Sequence, residues 1–255
     1  MTVFSLLILQ AFFSLMASLH LRKNQCTFFN LHFQPIREPN YDMYVLAVQW
    51  TSSTCKRAYL KKKFCPFSQL NILTLHGLWP NKKVGSTLEC HTGDDLKVDF
   101  SHNKTLYRKM NKYWHSEKDD GNNTEYYNEI FWNHEYNKHG YCYTKLYGLN
   151  DTQFFSDALT FYKEKKLARL FQRLYKEEFN TKTEVSTTVG ELRKKINSAL
   201  PGESFELRCS AQKKSNYYLL DEIYFYYNLT FAPYQRENKN TGCKSESDKI
   251  QIPFL

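Results

Sequence analysis

Seven cysteines, Cys26, Cys55, Cys65, Cys90, Cys142, Cys209 and Cys243, are spread along 255 residues, and no two of them stand in the Cys-x-x-Cys spacing of a zinc ribbon or a thioredoxin motif. What they do instead depends on compartment. Val3 to Met16 is uncharged and mostly apolar, is too short to span a bilayer, and is followed by the small residues Ala17 and Ser18. This is the pattern of a secretory signal peptide ending near residue 21, although only the terminal amine supplies its early positive charge. The expected mature chain, residues 22–255, therefore meets an oxidising environment in which six cysteines pair and one is left over. Four Asn-x-Ser/Thr sequons, at Asn103, Asn122, Asn150 and Asn228, agree with secretion. No later stretch is apolar enough to anchor the chain in a membrane.

A chain of this length has room for one ordinary domain, and neither an internal repeat nor a low-complexity linker divides it. Hydrophobic content of 42% with 16% aromatics excludes disorder. The net charge of +9 implies an acidic partner such as nucleic acid, anionic polysaccharide or a membrane surface, without choosing among them. Tyr44 to Trp50 and Ile72 to Leu75 read as strands of a central sheet, the second running into the turn-forming HGLWP. Asn150 and Asp151 cap a helix through Tyr162, Leu167 to Tyr175 repeats apolar residues at helical spacing, and Thr188 to Leu200 is a helix stopped by Pro201-Gly202. Tyr217 to Tyr227 is aromatic and β-branched enough for a strand or hairpin. Strands mixed with helices in no regular βαβ order predict an α+β fold, a single domain with a central antiparallel sheet packed with helices and stapled by disulfides.

Two segments carry the groups that could do chemistry. In LTLHGLWP, Leu73 to Pro80, His76 stands at the end of a strand-like run and Gly77 permits a sharp exit. In FWNHEYNKHG, Phe131 to Gly140, two histidines, a glutamate and a lysine fall within six residues. As an α-helix this places His134 beside Lys138 and Glu135 beside His139, with Gly140 at the C-terminal end. A zinc helix needs histidines four apart, whereas His134 and His139 are five apart, about 140° around an α-helix. The alternatives are a solvated charged face or acid/base chemistry on a phosphodiester. The latter needs two groups titrating near neutrality and a cation for the developing charge.

HGLWP followed by FWxHExxKHGxC resembles the two active-site segments of the T2 ribonucleases, with family-like features from about Tyr44 to Cys243. The resemblance implies metal-independent and cofactor-independent transphosphorylation of single-stranded RNA through a 2′,3′-cyclic phosphate. DNA, which lacks the 2′-hydroxyl, is excluded as substrate. By the same resemblance His139 is the general base, His76 the general acid, Glu135 and Lys138 the pair that stabilises the pentacoordinate phosphate, and His134 a phosphate ligand. Gln49, Phe131 and Trp79 fall where the family meets substrate bases, although the two aromatics serve core packing equally well. The family's cysteines imply the pairs Cys55–Cys65, Cys90–Cys142 and Cys209–Cys243, with Cys26 unpaired. Two departures stand out: Tyr141 replaces a small polar residue, and a further cysteine common in plant members is missing near Tyr226.

The basic charge and the wording HEYxKHG are most similar to the S-RNases, the pistil ribonucleases of gametophytic self-incompatibility. In that branch the segment between the motifs, here Asn81 to Phe100, includes surface recognised by pollen F-box proteins. A monomer is expected. The other readings are an S-like ribonuclease of nutrient recycling or defence, and a binding or storage protein that has lost catalysis.

Overall fold

Strand β1, Met43–Trp50, is buried along its whole length. The run MYVLAVQW contains one polar side chain, as a strand covered on both faces requires. The computed structural model describes Pro35 and residues 39–67, 71–83, 88, 90, 95–179, 184–212, 215–235, 243 and 245–255. Ile36–Leu255 forms one compact unit. The expected leader and Cys26 lie outside the described residues.

After β1 the chain runs through α1 (Thr51–Leu60), β2 (Leu73–Asn81), α2 (Lys104–Tyr113) and α3 (Thr124–Glu135), then a π-helical turn (Tyr136–Gly140) that leads into α4 (Tyr141–Tyr147). It continues through α5 (Asp151–Glu164), a 3₁₀ turn (Leu167–Arg169), α6 (Leu170–Leu174) and a second π turn (Tyr175–Phe179). The remaining elements are β3 (Val185–Thr188), α7 (Val189–Ala199), β4 (Phe205–Ala211), β5 (Tyr218–Asn228) and β6 (Lys249–Ile252). The sheet order is β2-β1-β5-β6-β3, with β4 also paired to β5. Pairing is antiparallel except between β5 and β6, where Tyr218 and Leu219 run parallel to Ile250 and Gln251. The α+β expectation holds, with a mixed rather than wholly antiparallel sheet.

Helix starts follow the capping residues. The side chains of Asn103, Asn123, Asn150 and Thr188 accept from the amides of Leu106, Tyr126, Gln153 and Glu191 at the heads of α2, α3, α5 and α7. Leu167 to Tyr175, expected to be helical, is broken into three pieces. The aromatic content is spent in the helical layer, where Phe154 and Phe155 of α5 pack with Phe100, Trp114 and Tyr136. The Tyr162 hydroxyl of α5 donates to the Leu73 carbonyl, tying this layer to β2. Disulfides join Cys55 to Cys65, Cys90 to Cys142 and Cys209 to Cys243, the three expected pairs.

Strand β2 corrects one expectation. HGLWP is no turn: the strand continues through it to Asn81. Pro80 is tolerated because β2 is the edge of the sheet, where a missing backbone N–H breaks no inner ladder.

Candidate active site

His76 owes its position to a β-bulge. Ala47 of β1 pairs with Gly77 and Val48 with Leu75, so His76 is the extra residue between them. Such a bulge re-aims a side chain and leaves its backbone without ladder partners. The orphaned carbonyl of His76 accepts instead from Trp114 Nε1 at 2.6 Å, and the Trp114 carbonyl from Trp132 Nε1 at 2.7 Å. Two buried indoles thus clamp the backbone of this histidine. Gly77 is needed for close approach rather than for an exit, since a Cβ there would collide with both the Trp79 indole and the Glu135 carboxylate.

The second motif also departs from the expected single α-helix. Helix α3 ends at Glu135, and Tyr136 to Gly140 form the π turn. Gly140 lies within the helical run, which continues as α4 to a left-handed Gly148. At Gly140 a Cβ would lie 2.7 Å from the rings of Phe154 and Tyr136. The Glu135 carboxylate meets residues of β2. Glu135 Oε2 accepts from Trp79 Nε1 at 2.8 Å, and its Oε1 lies 3.8 Å from His76 Nε2. The helical-wheel angle between His134 and His139 does not apply to a π turn. Among the described residues, no group of three or more His, Cys, Asp or Glu side chains is arranged to hold a metal.

These elements enclose a cavity of about 800 Å³ lined by His76, Trp79, Phe131, His134, Glu135, Lys138 and His139. The Trp79 ring touches both candidate acid/base imidazoles, with centroids 5.1 Å from His76 and 5.2 Å from His139. Trp79 also packs against Met43, Val45 and Tyr226, so it is both core and wall. Phe131 lies 5.6 Å from the His76 ring. His134 and Lys138 are exposed at the rim. Gln49 is the exception: it is buried, its amide donates to the His115 carbonyl at 3.3 Å, and it does not line the cavity. In this structure it packs behind the cavity wall.

The two central histidines are displaced in opposite directions. Burial pulls His76 down, but the Glu222 hydrogen bond and the charges of Glu135, Glu222 and Glu117 outweigh it and raise the pKa to about 9. Burial, reinforced by the positive charges of Lys138, His134 and His76, pushes His139 far below the ordinary histidine value. Its Nδ1 has no hydrogen-bond partner among the described residues. Burial likewise raises the Glu135 carboxyl, against the opposing pull of His76, Trp79 and Lys138. His134 is lowered by partial burial and by Lys138, Lys118 and His76.

The opposite wall was not singled out in the sequence. Glu222 and Tyr224 of β5 and Glu206 and Arg208 of β4 line the cavity or touch its histidine. Charged residues at every second position of otherwise apolar strands, as in FELR, are the signal that marks them. Lys118, in the loop before α3, adds a cation. Among the sequons, Asn103, Asn122 and Asn150 are exposed, while Asn228 is half-buried and accepts from Thr230 and Ala232. In the described part of Asn81–Phe100, the Leu96 and Val98 amides donate to Asn137 and Asn133 at 2.8 and 2.7 Å. The end of that segment is stitched to the helical run that carries the second motif.

Comparison with known proteins places this geometry. A model of the Ribonuclease T2 family matches residues 41–247. Ribonuclease S-3 of Petunia hybrida is 30% identical over 223 residues, covering 83% of this chain and 88% of that protein. Ribonuclease MC of Momordica charantia is 32% identical over 103 residues, 40% of this chain and 48% of that one. Among solved structures, a mutant of RNase MC1 in complex with 5′-UMP superposes with a TM-score of 0.62 at 20% identity, covering 85% of this chain and all of that one. The self-incompatibility-associated SF11-RNase of Nicotiana alata gives 0.62 at 19% identity over 84% and 99%. At such identities the solved structures establish the fold; the family match and the Petunia relative establish membership. This chain belongs to the Ribonuclease T2 family and is a T2-type endoribonuclease.

Proposed function

We propose that the enzyme cleaves single-stranded RNA by metal-independent transphosphorylation, with His76 as general acid and His139 as general base. The observation that carries this is the opposite displacement of two imidazoles on one cavity, which keeps one charged and the other neutral at pH 7. Neutral His139 takes the 2′-hydroxyl proton as the 2′-oxygen attacks phosphorus. Charged His76 gives its proton to the 5′-oxygen as the P–O5′ bond breaks, leaving a 2′,3′-cyclic phosphate. The bound phosphate supplies the negative charge that His139 lacks in the free protein, so its basicity rises when substrate arrives. Lys138 and Glu135, whose carboxyl is drawn toward protonation by burial, share the non-bridging oxygens of the pentacoordinate state. His134 holds the phosphate at the rim, and Phe131 offers a face for an unpaired base.

Incubating the protein with single-stranded RNA in EDTA should yield 2′,3′-cyclic ends, identified by mass spectrometry, and leave DNA intact. Activity abolished by EDTA and restored by a divalent ion would overturn the mechanism. His76→Ala and His139→Ala should each lose about 10²–10⁴-fold in rate. His134→Ala should act mainly on KM.

In the same proposal the protein is secreted and serves as a pistil cytotoxin in self-pollen rejection. The net charge of +9 and the likeness to Ribonuclease S-3 support this. A His76→Ala transgene that accumulates in the pistil should fail to reject matching pollen. Exchanges of the Asn81–Phe100 surface that keep its anchors to Asn133 and Asn137 should change which pollen is refused, through F-box partners, without changing RNA cleavage. Expression confined to starved leaves would assign the protein to the S-like enzymes instead. The intact set of polar groups around the cavity opposes a non-catalytic storage role.

A further inference from the structure

We infer that Glu222 is the positioning residue of the acid: it fixes the tautomer of His76 and keeps the ring charged, so that Nε2 delivers the proton. The inference rests on the acid role of His76 proposed above.

Glu222 stands on β5, opposite Gln49 of β1 on one side and Arg208 of β4 on the other, with a register irregularity close by in each pairing partner's ladder. The irregularity in the β4–β5 ladder makes Asp221 the extra residue, and its carboxylate ion-pairs with Arg57 of α1. Glu222 is thereby left to face His76. One of its oxygens meets His76 Nδ1, and the other accepts from the Tyr224 hydroxyl at 2.9 Å. The guanidinium of Arg208 lies 4.6 Å over the Tyr224 ring. Each carboxylate oxygen therefore has a donor, and the group cannot swing away without breaking both bonds. Burial alone would raise its pKa, but His76, Tyr224 and Arg208 hold it below the usual carboxylate value.

The consequence for the ring follows from its two nitrogens. With Nδ1–H committed to Glu222, Nε2 faces the cavity, 3.8 Å from Glu135. When the Nε2 proton passes to the 5′-oxygen, Nδ1 keeps its own, Glu222 takes none, and a neutral ring with an accepting Nε2 remains. That tautomer is the one needed to draw a proton from water when the cyclic phosphate is opened. The other groups acting on or beside His76 are Glu135 of α3, Glu117 of the preceding loop, and His134 and His139. Among them, Glu222 is the one bonded to the ring.

The test follows the His76 ring by histidine-selective NMR titration in wild type and Glu222→Gln, assigned with His76→Ala. Loss of the carboxylate should lower the titration midpoint by about one pH unit or more. It should also move the alkaline limb of kcat down in parallel, with KM little changed. On a nucleoside 3′-phosphate ester with a nitrophenolate leaving group, which needs no acid, the kcat defect should largely vanish. Glu222→Asp, which retains the charge, should restore part of the shift and serves if the Gln variant does not fold. An unmoved His76 titration in whichever variant folds would overturn the inference, as would an equal kcat defect on both leaving groups. The titration is read whether or not RNA is cut, so failure of the ribonuclease mechanism is recorded separately.

Discussion

Replacing Trp79 by Phe keeps an aromatic wall but removes the indole N–H that Glu135 accepts at 2.8 Å. Glu135 is only 2% exposed, so water replaces that donor poorly. A hydrogen bond to a charged buried group is worth about 1.5–3 kcal/mol, and the smaller ring forfeits roughly 1 kcal/mol more in packing. For a unit of this size, 1 kcal/mol moves Tm by about 2–4 °C, which gives a fall of about 5–16 °C at pH 7. The two contributions separate with pH. The Glu135 carboxyl has a raised folded-state pKa, so as pH falls it is protonated in the folded protein before the unfolded one. Losing the indole donor raises that pKa further, so the electrostatic part of the deficit is present at pH 7 and fades as pH drops through it. Calorimetry at pH 7 and near pH 4 should therefore show a large deficit shrinking toward the packing contribution. Equal deficits at both pH values would refute the reasoning, because packing alone would then account for the loss.

The opposite shifts of the two histidines predict a kcat/KM profile with its alkaline limb near pH 9 and its acid limb well below 6.5, measured on a dinucleotide; two limbs within a unit of 6.5 would contradict the assignment. Buried His115, whose ring nitrogens have no hydrogen-bond partner among the described residues, is pushed down to about 4. The unfolded state binds its proton first, so stability should fall by up to about 3 kcal/mol as pH drops from 6.5 to 4. His115→Phe should make that slope shallower in urea titrations, and an unchanged slope would exclude the residue as its source. On His139→Ala protein, RNA affinity should fall with salt at a log-log slope near −0.7 per phosphate neutralised, and Lys118→Ala should make it shallower; a flat dependence would rule out an electrostatic cleft.

Strand β1 and helices α5 and α7 were legible because their signals are local: an unbroken apolar run, an Asn or Thr cap, a helical repeat closed by Pro-Gly. Strand β2 was half legible, because Gly77 and Pro80 are turn formers by composition, and only the close approach of Trp79 and Glu135 to the first and the edge position of the second show why a strand accepts both. The π turn has no mark in local propensity. It is held by packing that sequence reading does not see: the ring of Phe154 against Gly140, and Asn137 donating to the Leu96 carbonyl at 2.8 Å. His134, Glu135, Lys138 and His139 were found because they are close in sequence, and His76 by the HGLWP segment around it. Glu222 was missed for the opposite reason, lying 146 residues from the histidine it meets.

The edge position of β2 has a consequence for the protein in a crowded solution. A free strand edge is a template on which another copy can add a strand. On β2 the bulge at His76 interrupts the regular spacing of backbone donors and acceptors, and Pro80 offers no N–H at all. The residues that carry the catalytic motif therefore also blunt the sheet against self-association. A variant that straightened this strand would re-aim the His76 side chain and restore a regular spacing of backbone groups along the edge in one step.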